Sequence, residues 1–98
     1  MKEITIPRDS VEYVRAPVTA DVDLGMGVEI SIRYGTAAHV WLPATWVGTL
    51  GPSRTARTTT QVTFSAALYP KPVYKVYVRL TDTPEVPIIE AGTIKITA

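Results

Sequence analysis

The stretch Tyr74-Lys75-Val76-Tyr77-Val78-Arg79-Leu80 alternates without a slip. Tyr74, Val76, Val78 and Leu80 fall on one side and Lys75, Tyr77 and Arg79 on the other, the period of a strand with one face toward a core. It runs into Thr81-Asp82-Thr83-Pro84-Glu85-Val86-Pro87. There Asp82 can accept backbone N–H bonds in a turn, and Pro84 lacks the donor that a ladder needs. Neither Asp82 nor Glu85 has a sequence neighbour that would shift its pKa, so the segment reads as a corner rather than an acid–base site.

The same alternation recurs on either side. Val18, Ala20, Val22 and Leu24 face one way against Thr19, Asp21 and Asp23, and Val28, Ile30, Ile32 and Tyr34 repeat the pattern against Glu29, Ser31 and Arg33. Gly25-Met26-Gly27 between them predicts a tight antiparallel hairpin, because glycine reaches the positive φ such a turn uses. Val62 and Phe64, then Ile94 and Ile96 after Gly92, mark further strands. Val11 and Tyr13 suggest a short strand, and Ile4 and Ile6 an edge strand. Val40 and Leu42 alternate with His39 and Trp41 until Pro43, which is expected to stop the ladder. The segment 43–60 reads as a long, partly stranded connection.

No window carries the spacing of an amphipathic helix, and Thr, Val, Ile and Tyr favour strand. The pattern predicts one all-β domain over residues 1–98, with residues 1–10 as a candidate flexible arm. Its expected form is an antiparallel β-sandwich of about seven or eight strands, immunoglobulin- or fibronectin III-like. A small β-barrel is the alternative. Tyr74 sits where such sandwiches keep a tyrosine whose hydroxyl bonds back to nearby backbone.

Ninety-eight residues suffice for one core, and with no cysteine that core has neither disulfide nor thiolate zinc to lean on. Ten basic and nine acidic residues, interspersed, give a net charge of +1. That is not the field of a nucleic-acid binder or of an anionic-membrane binder. The opening residues MKEITIPRDS lack the apolar core of a signal peptide, and no apolar run is long enough for a membrane helix.

Few residues carry chemistry. Asp21 and Asp23 before Gly25 have the spacing of a calcium loop, but Val22 and Leu24 between them fit a solvated strand face better. His39 is a lone imidazole, with no cysteine to share a metal. Ser10, Ser31, Ser53 and Ser65 lack a nucleophile elbow, and GMG and GTLG lack a phosphate-cradling pattern with a following helix. No catalytic residue, metal or cofactor is expected. Trp41 and Trp46, bracketing Pro43, are the strongest binding-type feature, one of them expected in the core and the other partly exposed. Arg54 and Arg57 read as solvated loop cations that can also anchor an acidic neighbour.

YKVYVRLTDTPEVPIIEAGTIKIT, with IPRDSVEYVRAPVTA near the start and VWLPATWVG and SRTARTTT in the middle, resembles small virion structural proteins of tailed phages and prophages of actinobacteria. The resemblance spans nearly the whole chain, and its most specific parts are T-D-x-P-E-x-P and the terminal A-G-x-I-x-I. It implies a non-enzymatic minor capsid, decoration or head-to-tail component with an immunoglobulin-like fold. Its expected partners are other virion proteins (capsid, portal or connector, and tail) and copies of itself. The chain is then expected in the virion, assembled in the bacterial host cytoplasm, with Trp41, Trp46, Arg54 and Arg57 as interface candidates. A host-surface glycan-binding module is the alternative.

Overall fold

The computed structural model of the chain describes residues 3–19, 27–47, 53–81 and 88–97. Its elements are β1 (Glu3–Pro7), β2 (Val11–Glu12), β3 (Arg15–Thr19), β4 (Val28–Arg33), β5 (Trp41–Val47), β6 (Ser53–Thr58), β7 (Val62–Thr63), β8 (Val73–Leu80) and β9 (Ile88–Thr97). The fold is all-β, without helix among the described residues. Seven strands form one sheet in the order β1-β9-β8-β4-β5-β6-β3, and β2 and β7 make a second, two-stranded one.

The large sheet curls until β3, at one edge, lies against β8 and β9, giving a half-barrel around a single core. Two separate sheets of comparable size, as a simple sandwich has, are not what these residues build. All pairings are antiparallel except β1 with β9, which run parallel from Glu3↔Thr93 to Pro7↔Thr97.

Alternation sets which side chains fill the curl. Val28, Ile30 and Ile32 of β4, Tyr74, Val76, Val78 and Leu80 of β8, and Ile94 and Ile96 of β9 are all buried. Phe64, completely buried, is brought in beside the small sheet: its N–H donates to Ser10 O and its carbonyl accepts from Asp9 N, both at 2.9 Å. Asp9 takes φ 67°, a left-handed conformation that Asp tolerates because its short side chain can bond locally. Ile89 points inward ahead of a bulge in the β8–β9 ladder, Ala91, the extra residue of that bulge, is buried as well, and past it the inward set becomes Ile94 and Ile96. One extra residue resets the phase of the strand.

Several expectations change. The hairpin joining Val18–Leu24 to Val28–Tyr34 does not form: β3 pairs with β6, and both edges of β4 are filled, by β5 and β8. A glycine loop permits a hairpin but cannot compel one when both strands find partners elsewhere. Residues 20–26, and with them Asp21, Asp23 and most of the GMG loop, lie outside the described residues, as do the GTLG segment and the Asp82–Pro87 corner.

β5 passes through Pro43 instead of stopping there, and with β6 turns most of 43–60 into paired strand, Ala44↔Thr58 through Val47↔Thr55. Pro43 O accepts Thr59 N–H at 3.0 Å, so the side of Pro43 without a donor faces residues just past the end of β6. Little ladder is lost there. Tyr34 is exposed instead of inward, because β4 ends at Arg33 and Gly35, at φ 58°, turns the chain away.

The two open edges are β1 and β3, and each carries a proline. Thr58 N donates to Val14 O at 3.0 Å, which puts the bonded residues of β3 at even positions and leaves Pro17 facing the open edge. Arg8 N donates to Thr97 O at 2.7 Å, and by the same reasoning Pro7 faces outward from β1. Pro7 O is already taken by Ser10 N at 3.2 Å. Prolines so placed blunt an edge against further strands. Ile94 lies on β9 between β1 and β8.

The Tyr74 hydroxyl accepts a hydrogen bond from Lys71 N at 2.8 Å, as the sequence suggested. Its ring stands edge-on to Tyr34 and Tyr69, with centroids at 6.2 and 5.3 Å. Tyr74→Phe keeps the ring and removes the acceptor, so it should cost about 1 kcal/mol in urea unfolding with an unchanged m-value.

Candidate functional site

The convex side of the sheet is set by the residues that alternate away from the core. Register places Pro43, Glu29 and Arg79 in one row across β5, β4 and β8, and Trp41, Ser31 and Tyr77 in the next. Arg33 and Lys75 form a third. Ser31 is the small residue between two large rings, and the gap above it is filled by His39 from the segment leading into β5. The imidazole stacks on Trp41 at 4.7 Å and 23°, and meets Tyr77 edge-on at 4.9 Å and 83°. Its Nδ1 shares a 2.7 Å hydrogen bond with the Ser31 hydroxyl.

Two guanidiniums extend the stack. Arg79 lies 4.3 Å over Trp41 and Arg33 lies 4.7 Å over Tyr77, the arrangement in which a cation meets the negative face of a ring. Glu29 holds Arg79 in place, accepting from its Nε at 3.1 Å and from Nη2 on the same oxygen. Farther out, Lys75 and Glu90 pair at 2.7 Å with both side chains half exposed, a contact worth little in water.

A serine hydroxyl on an imidazole nitrogen is the geometry of an activated nucleophile. Here it does other work. Ser31 is fully buried on the middle strand of three, roofed by the His39, Trp41 and Tyr77 rings, so no substrate carbonyl can approach its oxygen. The bond fixes the ring instead. Among the described residues no group of three or more His, Asp or Glu side chains is placed to hold a metal ion.

Partial burial lowers the pKa of His39 below 6.5, and the positive charges of Arg33 and Arg79 lower it further. The neutral ring is therefore the folded form at pH 7. The unfolded chain takes up this proton first on acidification, so the contribution to stability is present above pH 6.5 and is lost as the pH falls below it. His39 is the only histidine, so its proton NMR signals are unambiguous. They should titrate below 6.5, and in Arg79→Gln they should titrate closer to 6.5. A titration at or above 6.5 in the wild type would contradict the stacked arrangement.

Of the four interface candidates, the structure brings only Trp41 into this cluster. Trp46 points to the core side, where it packs half-buried beside Ala56, itself opposite Ala16; the two small residues make room for the indole. Arg57 faces outward with its guanidinium 4.3 Å over Tyr13, but it sits opposite Thr45, four residues along β5 from Trp41. That is roughly 13 Å at strand rise. Arg54 pairs with Val18 through its backbone, and its side chain lies outside the described residues. Trp41 and Arg57 are thus not side by side on the outer face.

Arg33, His39, Tyr77 and Arg79 are the cluster members that sequence reading missed. The outward phase of Arg33, Tyr77 and Arg79 on β4 and β8 is visible in the sequence, as is the alternation of His39 with Val40 ahead of β5, but which strands lie side by side is not. No helix among the described residues is long and apolar enough to cross a membrane. No family model matches the chain, and no curated protein matches it.

Proposed function

We propose that this chain is a non-enzymatic structural protein of a phage particle, a minor capsid, decorating or head-to-tail component that works by protein–protein contact. The observation that carries the contact reading is the cluster of Trp41, Tyr77, His39, Arg33 and Arg79 on the outside of β4, β5 and β8. Trp, Tyr and Arg are the side chains that interfaces concentrate, and here they are held on inner strands of a sheet instead of on loops. The particle itself comes from the sequence resemblance to actinobacteriophage virion proteins.

Blunted edges favour a face over an added strand as the contact, which suits a module repeated in a symmetric shell. An immunoglobulin-like relationship belongs to the same proposal and comes from the sequence resemblance; what supports it is the all-β curl around one core. Capsid, connector and tail proteins, or further copies of the chain, are the partners this reading supplies, met as the virion assembles in the host cytoplasm.

Quantitative mass spectrometry of purified particles tests membership, since a structural component is present in fixed stoichiometry. Trp41→Ala with Tyr77→Ala should then reduce incorporation at least tenfold while the isolated double variant still melts cooperatively. Particles without the protein would end the reading. Wild-type incorporation of the folded variant would move the contact off this face.

A further inference from the structure

We propose that a groove beside the Tyr34 turn is a second binding site, which docks an extended segment of a partner protein carrying bulky apolar side chains flanked by carboxylates. The groove, about 730 Å³, is walled by residues from 32–42 on one side and from 60–74 on the other. Ile32, Leu42, Val62, Tyr69 and Tyr74 give it an apolar lining, and that volume falls in the range of ligand and peptide-anchor pockets.

Its rim is apolar as well. Tyr34, Val40 and Leu68 line it at 49%, 68% and 67% exposure, and the last two are the most exposed large apolar side chains among the described residues. Single apolar residues on a surface are ordinary, but three around one groove mark an interaction site.

Charge selects the occupant. Among the described residues no Asp or Glu lines the groove, while Arg33 and Lys71 both do. On the convex face that Arg33 shares, Arg79 and Lys75 each have a glutamate partner. Arg33 and Lys71 have none among the described residues. The Arg33 guanidinium rests over the Tyr77 ring, its Nη1 donates to Ala37 O at 3.3 Å, and its buried Nε has no hydrogen-bond partner. Lys71 Nζ rests 5.3 Å over the Tyr34 ring. A carboxylate at the rim would give both cations the charge-assisted bond they lack, and a second cation would be repelled.

The test uses the isolated chain, so its result is separate from particle membership. Three fluorescein-labelled peptides are compared by anisotropy: Asp-Leu-Phe-Val-Glu-Gly, the same with Lys for both acids, and the same with Ser for all three apolar residues. The acidic apolar peptide should bind at least tenfold more tightly than either control. Leu68→Asp should weaken it at least tenfold, and Arg33→Gln about fivefold, with both variants shown folded by their urea midpoints. Equal binding of the acidic and basic peptides, or no saturable binding of any, overturns the proposal. Self-association in sedimentation velocity that Leu68→Asp abolishes also overturns it, by giving the groove to a second copy.

Discussion

Phe64→Ala is expected to destabilise the chain by about 3–5 kcal/mol, the range for deleting a fully buried aromatic ring. A domain of this size is stable by roughly 5–15 kcal/mol, so the variant should lose between about a fifth and all of its margin. The reason is positional. Phe64 is completely buried, its ring lies 5.1 Å from Tyr69, and its own backbone ties the β2–β7 ladder to the Asp9 corner. Removing the ring opens a cavity where the small sheet meets the large one. Phe64→Leu, which keeps much of the volume, should be distinctly milder. Urea unfolding measures both, and a loss below about 1 kcal/mol for the alanine variant would show that the core does not close over this residue.

Thr58→Val has the next largest expected effect, although it hardly changes shape. Thr58 is buried on β6, where its N–H donates to Val14 O and its Oγ1 accepts from Val14 N at 3.1 Å. The chain enters the β3–β6 ladder just after Val14, and the threonine hydroxyl takes the place of a backbone carbonyl. Valine fills the same space and accepts nothing, so a buried N–H is orphaned at a cost of about 1–3 kcal/mol. Thr58→Ser restores the acceptor and should recover most of that. Hydrogen exchange gives a local readout: the Val14 amide should exchange faster in the valine variant than in the serine one.

How much of this could be read from the residues depends on whether they act along the chain or across it. Val28, Ile30 and Ile32, and Tyr74 through Leu80, announce their faces by period alone, and burial agrees at each. The Tyr74 hydroxyl also found its backbone partner as its position at a strand start implied. Strand neighbours are another matter. β4 lies between β8 and β5, partners forty-odd and about a dozen residues away, and nothing in Val28–Arg33 encodes either distance. The predicted hairpin failed for that reason.

Pro43 misled in a similar way: proline forbids a donor, but whether one was needed depends on which side of β5 the position faces. The first half of β9 was hidden by its bulge, since Ile89 and Ala91 are out of phase with Ile94 and Ile96. The outward cluster shares the limit of the strand order. Trp41 stood out by size, whereas Ser31 and His39 matter only because three strands set them together.

The parallel pairing of β1 with β9 bears on how the chain carries load. Force entering at Glu3 and leaving at Thr97 would draw these two strands past each other along their length, because the attachment points lie at opposite ends of the ladder. All five register pairs then resist together in shear. An antiparallel pair of outer strands would present both attachment points at one end and unzip bond by bond. Under tension the lifetime of such a clamp is set by its rupture rate, not by its equilibrium stability.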